Sequence, residues 1–386
     1  MRRRKHYFDA LPGDPAPVAV EVKRKLRFSE VDALAIAWHG RYLQFFEDAH
    51  TELMRKVGLT YENYGKSDIG APIVQCHVDY YIPLVLDEEF TPEGPKKWNT
   101  AKYTKKIGNL ERVLFDIAAE DKDFPVVIGV SEIENRSVME DVIAQPKLAH
   151  GNYRIVHYDS PDARGVDVGF YYRPDVFKLE GSAAIPFKMP EMPNFKTRDF
   201  VTMWGTIENE PFFFLVSHWP SRLGGKEASD PKRLAAASQV KHIVDSVMAA
   251  NPATKVVVMG DLNDDATDAS VVEGLSAKGK IKDVKAGDMF NPFIALLKAG
   301  YGTLAYRDAW NLFDNIVVSE NLATGSTGEL KIQPVGKSKF YGGIFRRPYM
   351  IQKEGQYKGY PLRTFVGNDF QGGFSDHFPV YIYIAK

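Results

Sequence analysis

Apolar side chains recur every three or four residues in two stretches of the first third of the chain, and this spacing predicts helices. Residues 40–57 form the first stretch, which Gly58 should terminate. The second stretch starts where Asn99 or Thr100 can cap a helix. Its buried face is predicted to contain five residues at helical spacing, namely Tyr103, Ile107, Leu110, Leu114 and Ile117.

Runs of β-branched and aromatic residues predict strands along the rest of the chain. These runs cover residues 18–28, 72–83, 124–130, 201–207, 212–216, 255–259, 314–319 and 379–384. A hairpin is predicted at 208–210, and a helix from Asp230 and Pro231 to about Ala250, because Asp caps helices and Pro suits their first turn. Residues 334–371, rich in Gly, Tyr, Lys and Arg, predict a long irregular loop.

Composition limits the class of protein without assigning a function. The chain has 386 residues, 44% of them hydrophobic, which is enough for a large core and for more than one domain. A net charge of −1 provides no global basic field for nucleic acid. Cys76 is the only cysteine, which excludes an intramolecular disulfide and a thiolate metal site. No stretch is long and apolar enough to span a bilayer, and no apolar segment follows the basic start, so we predict a cytoplasmic protein.

Four short segments rich in acidic residues and histidine lie beside predicted strands. They read Val-Ser-Glu-Ile-Glu-Asn (130–135), Ser-His-Trp-Pro-Ser-Arg (217–222), Gly-Asp-Leu-Asn-Asp (260–264) and Ser-Asp-His-Phe-Pro-Val (375–380). Strand ends that meet are where layered α/β proteins place polar chemistry. Carboxylates can hold a divalent cation, while Asn and His can position phosphoryl oxygens and move protons. The segments therefore predict hydrolysis of a phosphate ester.

With these segments in this order, residues 87–386 resemble the endonuclease/exonuclease/phosphatase superfamily, whose fold is similar to that of deoxyribonuclease I. Two further segments strengthen the resemblance: Glu-Phe-Thr-Pro-Glu-Gly-Pro-Lys-Lys-Trp (89–98) and His-Trp-Pro-Ser-Arg (218–222). The resemblance implies a four-layer α/β sandwich with its site where the loops of two sheets meet. We place the domain boundary at residues 87–88, within a stretch rich in Pro, Gly and charge that ends at Trp98.

The resemblance also implies roles for individual residues. Glu132 would bind Mg²⁺ or Mn²⁺, and Asp376 would support the metal or His377. Asp261 would orient or deprotonate the attacking water. Asn263 would donate a hydrogen bond to the phosphoryl group, and His377 would contact the phosphate as charge builds up.

Other polar residues near these segments are assigned less specific roles. By the same resemblance, His218 is a candidate proton donor to the leaving group, and Arg222 a candidate for phosphate binding. Asp314 is either a partner of a catalytic histidine or a buried structural residue. Asp264 and Asp265 are predicted to cap a turn rather than to bind metal.

One expected segment is missing. The superfamily carries a metal-binding Asn on its first strand, in a segment similar to Tyr-Asn-Val-Glu-Asn, and none precedes Phe90. A sheet without this strand would leave backbone groups unpaired. We therefore predict that residues 73–82 fill the vacant position and bring His77 or Asp79 toward the metal. The missing ligand also predicts reduced or absent activity.

Residues 18–87 instead resemble the start of a hotdog-fold acyl-CoA thioesterase of the 4-hydroxybenzoyl-CoA type. The resemblance rests on Phe-Ser-Glu-Val-Asp-Ala (28–33), His-Gly-Arg-Tyr-Leu-Gln-Phe-Phe-Glu (39–47) and Asp-Tyr-Tyr-Ile-Pro (79–83). It implies that Asp32 is a general base or nucleophile toward an acyl-CoA; the alternative is a loop or cap residue just ahead of a helix. The later strands of a hotdog sheet are absent, which predicts a truncated β-α-β segment with little or no thioesterase activity.

Three functions remain open at this point. The first is a divalent-metal-dependent hydrolase of a phosphodiester or phosphomonoester, whose substrate could be a nucleic acid, a lipid headgroup or an inositol phosphate. The second is an acyl-CoA thioesterase that uses Asp32. The third is a catalytically impaired fusion of two incomplete domains. The near-neutral charge disfavours a dedicated nonspecific nuclease.

Overall fold

The chain divides into two compact units, residues 1–97 and residues 98–386. The structure is a computed structural model, and it describes residues 42–57, 94–121 and 123–386. Within the first unit it contains helix α1 (Tyr42–Lys56), which agrees with the helix predicted over residues 40–57. Asp32 and the predicted strands at 18–28 and 72–83 lie outside the described residues. The same is true of residues 73–82 and their predicted role as a replacement strand.

The second unit begins with helix α2 (Thr100–Asp121). The backbone N–H of Lys102 donates to Asn99 Oδ1 at 3.1 Å, which is the predicted capping interaction. The buried face of α2 packs against Met139 and Val142 of helix α3 (Arg136–Ile143). The helix predicted from the apolar spacing is therefore present, and its apolar face packs against a second helix.

Seventeen strands follow from residue 127 onward within the described part of the chain. They are β1 (Val127–Ile133), β2 (Arg154–His157), β3 (Asp167–Tyr172), β4 (Phe177–Ile185), β5 (Phe200–Ile207), β6 (Glu210–His218), β7 (Lys255–Asp261), β8 (Ala277–Lys278), β9 (Met289–Phe290), β10 (Leu304–Tyr306), β11 (Ala309–Asn311), β12 (Asp314–Ser319), β13 (Lys331–Gln333), β14 (Gly342–Ile344), β15 (Phe365–Val366), β16 (Asp369–Phe370) and β17 (Val380–Ala385). Three further helices are α4 (Lys226–Ala250), α5 (Phe293–Lys298) and α6 (Glu320–Thr324).

Two sheets form the centre of this unit. The smaller has the antiparallel order β1-β3-β2, and the larger has the order β4-β5-β6-β7-β12-β9-β8. In the larger sheet only the β6–β7 and β8–β9 pairs are parallel. Strand β17 pairs with β13 through its C-terminal half and with β14 through its N-terminal half. The predicted mixed α/β fold is confirmed for this part of the chain.

Three apolar clusters stack these elements. One cluster lies between α2, α3 and one face of the smaller sheet. The largest cluster joins the other face of that sheet, including Phe170, to Phe212 and Phe214 of the larger sheet. The third lies between the larger sheet and α4, where Ala236, Val240 and Val244 are buried. Burial of both faces of each sheet fixes which strand ends come together.

Helix α4 differs from its predicted start. It begins at Lys226, four residues before Asp230, and Pro231 lies inside it. Asp230 does not cap the helix; its carboxylate instead forms ion pairs with Lys226 and Arg233. The hydroxyl of Ser229 donates to Gly225 O at 2.7 Å within the first turn. The Asp-Pro pattern therefore predicted the wrong first residue. The local contacts of Ser229 and Asp230 allow the helix to begin one turn before the proline.

Residues 334–371 are largely irregular, as predicted, with only short elements such as β14, β15 and β16. The hairpin turn is also found as predicted, because Glu208 and Asn209 have positive φ angles of 51° and 66° between β5 and β6. In the described part of the chain, no helix combines the length and apolar character needed to cross a membrane.

Candidate active site

Asp261, at the end of β7, lies between polar residues of both neighbouring strands. In the register of the sheet, His218 of β6 lies opposite Asp261 on one side and Asp314 of β12 on the other. His218 Nε2 is 3.4 Å from Asp261 Oδ2. Three neighbouring strands thus place an imidazole and two carboxylates in one row, as the convergence of the sequence segments predicts.

The turn after Asp261 is shaped by its own side chain. The backbone N–H of Asn263 donates to Asp261 Oδ1 at 2.9 Å, and Asn263 has a positive φ of 51°. Asn263 Nδ2 donates to Trp219 O, also at 2.9 Å. Gly260 has a φ of 138°, and a Cβ atom there would lie 1.8 Å from Ser217 O. The first residue of the Gly-Asp-Leu-Asn motif must therefore be glycine, because the backbone conformation and the close approach of Ser217 leave no room for a side chain. The hydrogen bonds of the turn hold the side chains of Asp261 and Asn263.

His377 joins the row through Asp314. Its Nδ1 donates to Asp314 Oδ2 at 2.8 Å. Burial by itself lowers the pKa of His377, but the carboxylate of Asp314, with smaller contributions from Asp261 and Asp376, raises it to about 10. His377 is therefore an imidazolium at neutral pH. Two roles were predicted as alternatives for Asp314. Its contact with His377 supports the role of a partner to a histidine.

His218 has the opposite charge state. Burial lowers its pKa well below the usual value, and the positive charges of Arg198, Arg164 and His377 lower it further. Its side chain is buried, and its Nδ1 has no hydrogen-bond partner within the described residues. A neutral imidazole forms no ion pair with Asp261, whose Oδ2 lies 3.4 Å from its Nε2.

The surroundings of Asp261 favour the neutral form of its carboxyl group by raising its pKa. Burial raises its pKa to about 6; His377 opposes this shift, while Asp314 and Glu132 add to it. At pH 7 most of the population is therefore ionised but only weakly stabilised. A group with these properties is suited to exchange a proton with a reacting molecule.

Glu132 lies at an irregularity in β1, where the pairing register shifts between Ser131 and Ile133. Its φ is 58°, a backbone conformation that is costly for a residue with a side chain and that is often found at functional sites. Its carboxylate is 53% exposed and lies 3.1 Å from Arg164 Nη2. The other predicted metal ligand, Asp376, is also exposed and lies 4.0 Å from Arg363 Nη2.

The donor chemistry of this region suits Mg²⁺ or Mn²⁺. Both ions prefer carboxylate oxygens, which Glu132 and Asp376 supply. Repulsion from Glu132 and Asp314 raises the pKa of Asp261, and a dication nearby would relieve it. Arginines currently neutralise both predicted ligands. Glu132 and Asp376 therefore supply the type of ligand atom that a divalent cation prefers, and Arg164 and Arg363 are their present partners.

A set of three potential metal ligands that lie close together is found at β2, β3 and the segment between them. Ligand atoms of His157, Asp159 and Asp167 all lie within 4.8 Å of one another. His157 Nε2 is 3.1 Å from Asp167 Oδ2, and Ser160 donates to the other Asp167 oxygen through its backbone N–H and its hydroxyl. Because these contacts already satisfy Asp167, the cluster is sufficiently explained as a support for the loop.

Two of the three nitrogens of the Arg222 guanidinium are engaged by the turn after Asp261. Its Nε donates to Asn263 O at 2.9 Å, and its Nη2 donates to Asp264 and Asp268. Its guanidinium also lies 4.4 Å from the ring centroid of Phe313. These contacts show that Arg222 holds the turn carrying Asn263, and its binding of phosphate stays a prediction.

Sequence reasoning missed Arg198, which reaches the site from just before β5. Its side chain is 6% exposed; Nη1 donates to Asp162 at 3.0 Å and Nη2 to Trp219 O at 2.8 Å. Its Nε has no partner within the described residues. The only available signal was a charged residue directly before an apolar strand, which is not specific.

Sequence reasoning also missed Lys106, on the inner side of α2. Its ammonium donates to Thr364 Oγ1 at 3.1 Å and to Phe374 O. Burial lowers its pKa, while Asp376 and Glu132 oppose that shift. Lys106 therefore ties the long loop and the segment before His377 to the first helix of the unit. Its position within the apolar stripe, between Tyr103 and Ile107, was a usable signal.

Asp264 and Asp265 serve structure, as the sequence indicated. Asp265 accepts hydrogen bonds from Leu312 N and Asn311 Nδ2. Asp264 is 2% exposed and lies 2.7 Å from the fully buried Arg233 Nε. Neither contact leaves a carboxylate directed at a metal.

The Asp264–Arg233 pair gives a stability prediction. Asp264→Ala removes the buried one of the two carboxylates that pair with Arg233 and leaves Asp230 as its remaining partner. We expect a loss of about 3 kcal/mol in the free energy of unfolding. Urea denaturation measures it. The matched control is Asp245→Ala, whose exposed pair with Lys241 should contribute less than about 0.5 kcal/mol. Equal stability of the two variants would contradict this assignment.

Comparison with solved structures finds distant similarity. The chain aligns with a mannosyl-6-phosphatase of Bacteroides thetaiotaomicron at a TM-score of 0.47 and 16% identity, covering 74% of this chain and 94% of the other. It aligns with Danio rerio TDP2 complexed with a single-strand DNA product at a TM-score of 0.45 and 15% identity, covering 73% and 93%. These similarities assign no substrate to this chain.

Comparison with curated proteins finds relatives that are named as thioesterases. A Bacillus subtilis protein, YneP, provisionally named as an acyl-CoA thioesterase, is 30% identical over 64 residues, or 17% of this chain and 46% of its own length. The acyl-CoA thioester hydrolase YbgC of Escherichia coli O6:H1 is 21% identical over 126 residues, or 32% and 92%. The chain spans about half the length of the first curated relatives that it matches.

Family-level comparison covers far more of the chain. The model of the endonuclease/exonuclease/phosphatase family matches residues 79–386. This range includes the row formed by His218, Asp261, Asp314 and His377, together with Glu132 and the Gly-Asp-Leu-Asn turn. The chain belongs to the endonuclease/exonuclease/phosphatase family.

Proposed function

We propose that the chain hydrolyses a phosphate ester by attack of water on phosphorus, at a site built from Asp261, Asn263, His377 and the carboxylates of Glu132 and Asp376. Family membership supports phosphoester hydrolysis as the reaction class. The observation that carries the proposal is the row of His218, Asp261 and Asp314 on neighbouring strands, which His377 joins through its contact with Asp314. The shifted pKa values of Asp261 and His377 agree with it. A carboxylate with a pKa of about 6 lies near an imidazolium with a pKa of about 10. Such a pair provides a base and an acid at the same pH.

Asp261 is the proposed base toward water. Its Oδ1 accepts the Asn263 N–H, and its Oδ2 lies toward His218. These contacts and the strand register fix the orientation of the carboxylate. Water transfers a proton to Asp261 as its oxygen bonds to phosphorus, and the ester oxygen departs.

His377 is the proposed acid. Its second ring nitrogen, Nε2, carries a proton because Asp314 accepts from Nδ1 and stabilises the cation. It can stabilise charge on a phosphoryl oxygen or protonate the leaving oxygen. The sequence had assigned the second role to His218. The neutral state of His218 favours His377 for it, with His218 as the group that orients Asp261.

Glu132 and Asp376 are the proposed ligands of Mg²⁺ or Mn²⁺. A bound dication supplies neutralisation of phosphoryl charge and a lower pKa for bound water. Arg164 and Arg363 would then exchange their present carboxylate partners for phosphate oxygens. Whether the missing first-strand Asn reduces activity stays a prediction.

The pH dependence follows from the two shifted groups. Below pH about 6 Asp261 becomes protonated and cannot accept a proton, so kcat/KM should fall about tenfold per pH unit. Above pH about 10 His377 loses its proton, and kcat/KM should fall again. Because a cation near Asp261 favours its ionised form, higher Mg²⁺ concentration should move the acid limb to lower pH. A pH profile measured at two Mg²⁺ concentrations checks this, and a fixed acid limb would contradict the shared site.

Turnover of bis-p-nitrophenyl phosphate and of p-nitrophenyl phosphate tests the proposal, each with Mg²⁺ and with EDTA. We expect Mg²⁺-dependent release of p-nitrophenol from at least one of them, which also separates diester from monoester preference. Hydrolysis that persists unchanged in EDTA would overturn the metal dependence. No hydrolysis of either substrate would favour the impaired-fusion alternative.

The second candidate function is acyl-CoA hydrolysis by the N-terminal segment, with Asp32 as its key residue. The matches to thioesterases, which cover 46% of one relative and 92% of another, favour a common origin of this segment with them. The prediction that the later strands of a hotdog sheet are absent leads us to expect no measurable release of CoA from a panel of acyl-CoA thioesters. Turnover that disappears in Asp32→Ala would contradict this expectation.

A further inference from the structure

The backbone carbonyl of Trp219 accepts hydrogen bonds from two side chains at the site. Asn263 Nδ2 donates to this oxygen at 2.9 Å, and Arg198 Nη2 donates to it at 2.8 Å. Trp219 is fully buried, while Arg198 and Asn263 are 6% and 9% exposed. Because both donors share one oxygen that is shielded from water, a movement of the carbonyl caused by one donor changes the position of the other.

Asn263 depends on this carbonyl for its orientation. The last torsion of an asparagine side chain has only a broad intrinsic preference, so hydrogen-bond partners decide which way the amide faces. An amide nitrogen carries two hydrogens, and Trp219 O accepts one of them. Because the amide group is planar, the direction of this hydrogen bond also sets the direction of the second hydrogen. That second hydrogen is the one available to a phosphoryl oxygen.

Arg198 is anchored at its other end by a buried carboxylate. Its Nη1 lies 3.0 Å from Asp162 Oδ1, and the side chain of Asp162 is 5% exposed. The second oxygen of Asp162 accepts from the backbone N–H groups of Arg164 and Val166, at 3.0 and 3.4 Å. Moving either charge of a buried pair is costly, because it leaves the other charge unpaired away from water. The guanidinium therefore provides a fixed donor for the shared carbonyl.

Direct contact of Arg198 with a substrate is the alternative role, and its contacts disfavour it. Nη1 and Nη2 are both engaged, by Asp162 and by Trp219 O. Nε has no partner within the described residues, but it is buried and therefore not accessible to a phosphate in solution. To bind a phosphate, the guanidinium would have to leave a buried carboxylate uncompensated. The contacts therefore indicate an indirect role.

We propose that Arg198 is a positioning residue, which orients the amide of Asn263 toward the phosphoryl group through Trp219 O. Lysine cannot replace it, because an ammonium is a point donor that does not reproduce the fork by which a guanidinium contacts two acceptors at once. Arg198→Lys should therefore keep the charge beside Asp162 and release the shared carbonyl. The proposal rests on the proposed function, since it concerns the same site.

Arg173 offers a matched control, because its guanidinium makes contacts of the same kinds. It pairs with the carboxylates of Asp123 and Asp175 and donates to Phe124 O at 3.1 Å. Its Nε also lacks a partner in the part of the chain that the structure describes. Arg173 directly follows β3 and lies at the opposite end of β1 from Glu132. Arg173→Lys therefore removes the same kind of fork away from the site.

Hydrogen exchange of the Asn263 side-chain amide tests the positioning without any substrate. It is followed by NMR on residues 1–386 labelled with ¹⁵N-asparagine, and Asn263→Ala identifies the resonance by its loss. We expect exchange about tenfold faster in Arg198→Lys than in the wild type, because a carbonyl that is no longer held lets the Asn263 hydrogen bond open more often. Arg173→Lys should exchange like the wild type. Equal exchange in the two lysine variants would overturn the proposal.

Turnover of bis-p-nitrophenyl phosphate tests the consequence for the reaction. Arg198→Lys should lower kcat about tenfold with little change in KM, whereas Arg173→Lys should leave both unchanged. Combining Arg198→Lys with Asn263→Ala should lower kcat no further than Asn263→Ala alone, because one residue acts through the other. Losses that multiply in the double variant would contradict the proposal.

Asp162→Asn provides a second test that does not depend on the folding of Arg198→Lys. It removes the charge that anchors the guanidinium, and it should change amide exchange and kcat in the same directions. Faster exchange as predicted, in a chain that hydrolyses neither nitrophenyl ester, would support the positioning and contradict the hydrolase proposal. Wild-type exchange and turnover in both Arg198→Lys and Asp162→Asn would overturn the positioning and leave the hydrolase proposal intact.

Discussion

Asp261→Asn should lower kcat for bis-p-nitrophenyl phosphate by about 10²–10⁴-fold. The amide has nearly the same shape as the carboxyl group, so the backbone turn at Asn263 and the contact with His218 should persist. What is lost is the ability to accept a proton from water. Because a base acts mainly in the transition state, we expect kcat and kcat/KM to fall together, with little change in KM.

Asp245→Asn is the control for this variant. Asp245 is an exposed carboxylate on α4 that pairs with Lys241, and its substitution should leave kcat unchanged. Near-native circular dichroism and thermal stability of Asp261→Asn would establish that the loss is chemical. Full activity of a folded Asp261→Asn would remove Asp261 from the proposed mechanism.

His377→Ala should cause a loss of similar size, about 10²–10⁴-fold in kcat. The substitution removes the imidazolium, and with it the charge and the proton proposed to assist departure of the ester oxygen. A substrate with a better leaving group needs less protonation, so the effect of His377→Ala should shrink as the pKa of the leaving group falls. A loss that is the same for good and poor leaving groups would limit His377 to charge stabilisation.

Asp314→Asn separates the charge of His377 from its position. The amide oxygen can still accept from His377 Nδ1, but the carboxylate that raises the histidine pKa is gone. The basic limb of the pH profile should therefore move from about pH 10 toward neutrality, while activity at pH 6 is retained. A basic limb that stays near pH 10 would show that another group controls it.

The centre of the site was predictable because local spacing fixes it. Gly260, Asp261 and Asn263 occupy consecutive positions of a strand end and its turn, and each has a backbone or hydrogen-bond reason to be there. Strand β12 was predicted with its exact bounds, 314–319, because it is a short buried run between polar residues. Its register beside β7 then brings Asp314 to Asp261.

Residues that reach the site from distant elements were not predictable in this way. Arg198 and Lys106 act through contacts that depend on how α2, β5 and the long loop pack together. The irregularity in β1 that gives Glu132 its positive φ angle depends on the pairing of β1 with β3. The structural partners of Arg222, Asp264 and Asp268, were not predictable for the same reason, since they meet it only after the turn has folded.

The charge states were likewise beyond the reach of the sequence. His218 and His377 lie in similar motifs, yet burial among positive charges lowers the pKa of one and a direct carboxylate partner raises that of the other. Both effects depend on neighbours that are distant in the chain. This is why the sequence assigned the acid role to His218, whereas the surroundings favour His377.

Hydrolysis in oxygen-18-enriched water tests the central claim most directly. Bis-p-nitrophenyl phosphate is incubated with the chain and Mg²⁺, and the p-nitrophenyl phosphate and p-nitrophenol formed are analysed by mass spectrometry. If water attacks phosphorus as proposed, the label appears in the phosphate product and none in the phenol. Label in the p-nitrophenol, or no Mg²⁺-dependent product in water of any composition, would contradict the account.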